Sequence, residues 1–526
     1  MESTAGVTPV SVDAVPDDGT TPGARREALV RRVRVWWGRR TWHDGVLVLM
    51  VLAFTAVFGA LGIARHRGLL THAFDAGQMI QAFWTIRHGG DVNTVTGLPF
   101  LGDHARFVLY PLALLGLPAQ ALFVAQSFTL ALGAVPVYLL TARRAPRWAA
   151  LTAAALFLAY PSLQWTALFD LHPEVMATTL LLFAFWAVDG RRHVAYAVTV
   201  LLALACREDA SVAVGLMGLL LVLERRWRVG LLTIGGAVGG LVVATLAQRA
   251  ANPWGLSVLE ERFGYLGSTP GEVAARLAQP AETFAGLHLG LNGWLMVLGF
   301  LLPAAPMFLA RWTRLLPALP LLVLSLLSTL PMQKTIYFHY GFLPTVFIFI
   351  AVSDGMVRLA GLRPRARAVV APVVAAVVAV TVVVGSPFTD LGYRGPHAWG
   401  KPATVQDQLA RTFTPEFRAD ARDVLAQVGE GSVSASANLL PQLAERSEVY
   451  MFPNPFYPAW NGRYLTSWPG RSVRPTIPPD PPRWVVVDLV HTGPEPPEVR
   501  EELLDLLPEA YRLVSETPTV QLWEER

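Results

Sequence analysis

Charge is scarce in this sequence. Only 16% of the 526 residues are charged, against 53% hydrophobic, where a soluble domain carries about a quarter charged. That shortage excludes a single water-soluble globule, because several apolar runs approach or exceed the roughly 18–20 residues a membrane helix needs. Lysine is nearly missing, at Lys334 and Lys401 only, so arginine supplies almost every cation. The lone cysteine, Cys206, excludes an intramolecular disulfide and a cysteine-built metal site. A net charge of +4 gives no sign of a nucleic-acid partner. Nor does the start of the chain resemble a cleavable signal peptide. Residues 1–24 are polar and read as disordered. Arg25–Arg40 is a basic run, and apolar sequence begins near Gly45, the order of an uncleaved signal anchor.

What remains is a polytopic α-helical membrane protein. Hydropathy predicts about eleven crossings, at 45–64, 119–141, 148–168, 174–189, 193–206, 210–223, 229–248, 288–309, 314–331, 341–359 and 368–386. Basic clusters then fall in alternate connections: Arg25–Arg40; Arg143, Arg144 and Arg147; Arg191 and Arg192; Arg225, Arg226 and Arg228; Arg311 and Arg314; Arg358, Arg363, Arg365 and Arg367. Cytoplasmic loops carry the excess of Lys and Arg. The pattern predicts a multi-pass protein of the cytoplasmic membrane with its N-terminus inside and residues 387–526 outside. Residues 193–223 read as a short hairpin with Arg207-Glu208-Asp209 at its outer turn, and residues 106–118 as an interfacial or re-entrant piece.

Three parts follow: a basic N-terminus (1–44), a transmembrane domain (45–386) and a small extracytoplasmic α/β domain (387–526). In the last, 432–436, 448–452 and 484–489 read as strands, and 414–428, 437–445 and 497–507 as helices. The Pro-rich stretch 469–482 reads as a surface loop.

With this topology the unusual polar residues share the outer side. They are Asp75, Gln78 and Gln81, then Asp103 and His104, then Asp170, His172 and Glu174, then Arg207, Glu208 and Asp209, then Lys334 and His339. Each has an ordinary alternative. Asp75 and Glu174 suit the first turn of a helix, Asp209 suits an N-cap, and Tyr337 and Tyr340 suit an interfacial belt. The coincidence of five segments on one face favours a site there.

Phe74-Asp75-x-Gly77-x-x-x-Gln81-x-x-Trp84, Gly102-Asp103-His104, Asp170-x-His172-Pro173, Arg207-Glu208-Asp209 and Phe338-His339-Tyr340 together resemble the DUF2079 family of prokaryotic multi-pass membrane proteins. Residues 432–455 resemble that family's outer domain. Arg207 stands where lysine is common in the family, which keeps the charge and changes its geometry. The family is similar in architecture to GT-C glycosyltransferases, which take sugar from a polyprenyl-phosphate carrier. The resemblance implies that Asp75 or Asp103 occupies the location of the catalytic acid.

Such a reaction needs a cation at the leaving phosphate, for which Arg207 and Lys334 are the candidates. It also needs a base for the acceptor hydroxyl, Asp75 first and Asp103 second. Burial among Phe74, Phe83 and Trp84 is expected to raise the Asp75 pKa. Gln78, Gln81, Trp84, His104, Asp170, His172, Glu208, Asp209 and His339 are candidates for binding substrate, a polyprenyl-phosphate-linked sugar held at the membrane lipid. A divalent cation could draw ligands from Asp75, Asp103, Asp170, His172 and Glu208, although no ligand spacing supports it. Two other classes stay open. A transporter or flippase predicts charges along a path through the bilayer and inverted repeats, and the sequence shows neither. A non-catalytic envelope scaffold predicts that the acids are dispensable.

Overall fold

The structure, a computed structural model, describes residues 41–252, 262–267, 269–285, 290–392, 401–457, 475–491 and 497–526. The expectations for residues 1–24 and Arg25–Arg40, and for 469–474 of the Pro-rich loop, lie outside the described residues.

The expected crossings are helical. Five helices are long and apolar enough to cross a membrane: α1 (Trp42–Arg67), α2 (Ala119–Ala142), α7 (Trp227–Ala251), α10 (His339–Gly361) and α11 (Pro364–Gly385). Shorter apolar helices lie between them: α3 (Arg147–Ala159), α4 (Met176–Asp189), α5 (His193–Leu204), α6 (Ala210–Leu223), α8 (Gly293–Leu309) and α9 (Trp312–Leu327). The expected crossing at 148–168 breaks at Tyr160, and a new helix starts at Pro161, a residue suited to a first helical turn. The interfacial piece contains only the short helix Leu109–Ala113, after which Leu114 and Leu115 are exposed. Helix α10 is apolar all round and 89% buried, whereas α11 is 11% buried. The first is therefore the centre of the bundle and the second a peripheral helix facing lipid. Gly355 lets α10 approach α8, since a Cβ there would run into the carbonyl of Pro306.

Ion pairs show how the helix ends are sorted. At one end Arg147 pairs with Asp44, Arg143, Arg144 and Arg226 with Asp189, and Arg314 with Glu224 and Asp354. The basic connections that hold Arg144, Arg226, Arg311 and Arg314, and Arg358 therefore meet at one end; Arg25–Arg40 lies outside the described residues. The turn between α5 and α6 lies at the other end, where Val108 N–H donates to the Ala205 carbonyl and Glu208 reaches His104.

That second end carries a small C-terminal sheet. Its strands are β1 (Val433–Ala435), β2 (Val449–Met451), β3 (Trp484–Asp488), β4 (Tyr511–Glu516) and β5 (Val520–Glu525), in the order β2-β1-β3-β5-β4. The first three are parallel, and β5 runs antiparallel to both β3 and β4. Helices Pro415–Leu425 and Pro497–Ala510 match expectation. Residues 437–445 do not: only Leu440–Gln442 make a helical turn, of 3-10 type. The terminal hairpin is an addition to the sequence reading.

This sheet packs directly on the first connection of the bundle. Ala73, Ala76, Met79, Ile80 and Phe83 share one apolar cluster with Val433, Leu440 and Val449. Gln442 donates to the His66 carbonyl at 2.7 Å, and Thr94 Oγ1 donates to the Val449 carbonyl at 2.7 Å. A Cβ at Gly77 would lie 2.5 Å from Leu440 Cδ2. Gly77→Ala is expected to loosen this docking at a cost of about 1–3 kcal/mol. Hydrogen exchange should speed up across residues 433–451 while α10 stays protected; unchanged exchange in the sheet would refute the contact.

Candidate functional site

The docked end holds a chain of charged side chains drawn from separate segments. Asp75 lies in a π-helical turn, Ala73–Gly77, ahead of the helix Gln78–Arg87. Its Oδ1 is 3.3 Å from His172 Nε2. The other ring nitrogen of His172, Nδ1, is 3.2 Å from Glu174 Oε1. Pro173 fixes the turn that places the two. Glu174 is completely buried and also takes Arg207 Nη1 at 2.8 Å and Arg106 Nε at 3.3 Å. Arg106 Nη1 continues to Asp103 Oδ2 at 3.3 Å, and Gln78 donates to the same oxygen at 3.1 Å. Arg207 also pairs with Asp209. The His339 ring stacks on His172, with centroids 3.6 Å apart.

These neighbours set the ionisation. Burial would push Glu174 up, but Arg106, His172 and Arg207 hold it well below the usual carboxylate range. Burial would push His172 down, yet Glu174 and Asp75 outweigh it and hold the imidazole up at about 9. Asp103 is lowered against its burial by His104 and Arg106. Glu208 is lowered, against burial, to about 2 by His104 and Arg207. Asp75 itself is partly open, its side chain 27% exposed. It meets a cationic ring, where the sequence suggested burial among Phe74, Phe83 and Trp84. Trp84 turns instead to stack on His88.

Some expected binding residues do structural work. Gln81 donates to Thr94 Oγ1 at 2.6 Å and to the Ser447 carbonyl at 3.2 Å, tying the C-terminal sheet domain to the bundle. Asp170 accepts from His72 N–H at 2.6 Å and pairs with Arg65 at 3.7 Å. Lys334 lines a different, mainly apolar cavity of about 230 Å³, with Met296, Ile336 and Val384. Gln78, Asp103, His104, His172, Arg207, Glu208, Asp209 and His339 do come together. Glu174, Arg106 and Arg262 were not singled out as site residues from sequence. Only the acidic and basic characters of His172-Pro173-Glu174 and Asp103-His104-Ala105-Arg106 could have pointed to the first two.

Beside this chain is a cavity of about 240 Å³. Val212, Leu241, Leu321, Leu324 and Leu343 give it apolar walls from α6, α7, α9 and α10, and Arg207, Arg262, His104, Tyr340 and the carboxylates Glu208 and Asp209 lie at its polar part. Arg262 sits over the Tyr340 ring at 5.3 Å. Tyr340 in turn adjoins His339, 4.1 Å between ring centroids, so the cavity connects through His339 and His172 to Asp75.

His172, Glu174 and His339 bring ligand-type atoms within 4.8 Å of one another. They do not fit a resident metal ion. The two rings are stacked at 20°, so their in-plane lone pairs run side by side and cannot both meet one ion at the roughly 2.0–2.1 Å of a metal–imidazole bond. Arg106 and Arg207 already hold Glu174. Of the other acids named as ligands, Asp103, Asp170 and Glu208 are engaged with Arg106, Arg65 and His104.

Helical bundle, docked sheet and charged end define a multi-pass membrane protein of GT-C-like architecture. A crystal structure of ArnT from Cupriavidus metallidurans bound to undecaprenyl phosphate superposes with a TM-score of 0.51, covering 91% of this chain and 98% of that one at 15% identity. That likeness shows the fold. The chain belongs to the DUF2079 family, described as predicted membrane proteins, whose model matches residues 65–463. No curated protein matches significantly.

Removing one partner from a buried ion network leaves the others uncompensated, at a cost of roughly 3–5 kcal/mol. Glu174→Gln is therefore expected to lower the unfolding midpoint in detergent more than Asp209→Asn, whose side chain is 36% exposed. Equal effects would contradict the hub. The raised His172 pKa adds a pH signature. Its stabilisation is complete below pH 6.5 and is lost as pH climbs through about 9. The wild-type midpoint should fall across that window, and His172→Gln should flatten the fall.

Proposed function

We propose that the protein is a membrane glycosyltransferase that moves a sugar from a polyprenyl-phosphate carrier to an acceptor hydroxyl. The observation that carries this reading is the cavity whose apolar walls end at Arg207 and Arg262, linked through His339 and His172 to Asp75. Apolar walls suit a polyprenyl chain, and guanidinium forks suit a phosphate. The ArnT structure, with undecaprenyl phosphate bound, supports the same lipid class. The excess of arginine at the opposite end supports reading that end as cytoplasmic and the site as lying on the outer side of the cytoplasmic membrane.

In this reading Asp75 accepts the proton of the acceptor hydroxyl. The hydroxyl oxygen forms the bond to the anomeric carbon, and the carbon–oxygen bond to the carrier phosphate breaks. The electron pair leaves with the phosphate, where Arg207 and Arg262 stabilise the growing negative charge. His172, held cationic by Glu174, orients Asp75 through Nε2. Asp103, already bound by Arg106 and Gln78, is a positioning residue. A transporter would need ionisable groups along the bilayer path; the buried middle of α10, Val346–Val352, is apolar.

The test is sugar transfer by the purified protein from a panel of polyprenyl-phosphate sugars, with envelope extract as acceptor. Asp75→Asn is expected to lower turnover by about 10²–10⁴-fold, and Arg262→Gln to raise the donor KM by about tenfold. A chelator should leave the rate unchanged. Turnover undiminished in Asp75→Asn, or none from well-folded wild type across the panel and acceptors, would sink the reading.

A further inference from the structure

The end of the bundle opposite the site carries a second cavity, of about 560 Å³. Five arginines line it from separate segments: Arg144 after α2, Arg226 between α6 and α7, Arg311 and Arg314 at the start of α9, and Arg358 near the end of α10. Only two carboxylates, Glu224 and Asp354, share its walls. Both are already engaged. Arg314 is buried and fixed by Glu224 at 3.1 Å and Asp354 at 3.8 Å, and Arg358 reaches Asp354 at 3.7 Å. Asp354 also accepts from the Arg311 backbone N–H at 2.9 Å. Just outside, Asp189 takes Arg144 and Arg226. The guanidinium of Arg311 is exposed and has no ion pair among the described residues.

Three more cations than anions around one concavity focus a positive potential, and their repulsion is relieved by a bound anion. Charge neutralisation alone would be met by further acids in the wall. Planar donor forks arriving from several sides suit a group with several acceptor oxygens. Trp312 and Trp227, next in the chain to Arg311 and Arg226, are 73% and 58% exposed. Tryptophans of this kind sit at the headgroup level of a bilayer. We propose that this arginine-lined cavity holds a phosphate group, from an anionic membrane lipid or free in solution, in a site separate from that of Asp75.

The experiment titrates the full-length protein in neutral detergent with short-chain phosphatidylglycerol and, separately, with inorganic phosphate, reading the unfolding midpoint. Phosphatidylcholine of the same chain length is the control. Arg311→Gln combined with Arg358→Gln removes two exposed guanidiniums and leaves buried Arg314 in place. Arg228→Gln changes an exposed arginine at the same end that does not line the cavity. Phosphatidylglycerol is expected to raise the midpoint where phosphatidylcholine does not, with an apparent affinity about tenfold weaker in the double variant and unchanged in Arg228→Gln. A shift by inorganic phosphate with the same sensitivity would assign the site to free phosphate. A shift by phosphatidylglycerol alone would assign it to the lipid headgroup. No shift with either probe, or one that is equal in wild type and the double variant, overturns the proposal.

Discussion

The buried carboxylate of Glu174 is the interaction around which the charged end is organised. It is fully enclosed, and it meets two arginines that arrive from two other places in the chain and the histidine two residues before it. A lone charge in such a position would be strongly disfavoured, and so would any of its partners without it. Satisfying them together fixes the connection after α1, the Asp103–Arg106 turn, the start of α4 and the turn between α5 and α6 relative to one another. Asp75 depends on this arrangement, because its close charged contact, His172, is held from behind by Glu174.

Two kinds of polar residue share this end and do different things. Gln81, Thr94 and Gln442 stitch the C-terminal sheet onto the bundle, with hydrogen bonds between 2.6 and 3.2 Å. Asp170 and Arg65 brace the base of the same region. Arg207 and Arg262 instead line the cavity beside the network, and Asp75 keeps its side chain 27% exposed. The C-terminal sheet domain packs on the Asp75 turn through Leu440 against Gly77.

Much of this was legible in the sequence because lipid imposes a coarse rule: apolar runs become helices, and basic loops collect at one end. The convergence of five polar segments followed from that rule alone. The roles within the cluster did not. Gln81 and Asp170 look like site residues because polar side chains are rare here, yet Gln81 is spent on Thr94 and the Ser447 carbonyl and Asp170 on Arg65 and the His72 N–H. Glu174 looked ordinary because an acid in a first helical turn is common, and only folding brings Arg106 and Arg207 onto it. Arg262 lies between α7 and α8, and nothing local marks it as part of a cavity. In the C-terminal domain, the hairpin Tyr511–Glu525 is not legible because its mixed charged and apolar residues leave no clean alternation. The run 437–445 was apolar enough to suggest a helix, while the structure uses Leu440 and Pro441 as a plug against Gly77.

The account places a carrier phosphate between Arg207 and Arg262, within reach of the Asp75 arm of the network. The most direct measurement is an electron-microscopy structure of the protein in nanodiscs with a polyprenyl phosphate. Phosphate density against Arg207 and Arg262, with the chain running between α6, α7, α9 and α10, is the predicted result. Phosphate seated instead in the apolar cavity beside Lys334, with the Arg207 cavity empty, would contradict the account.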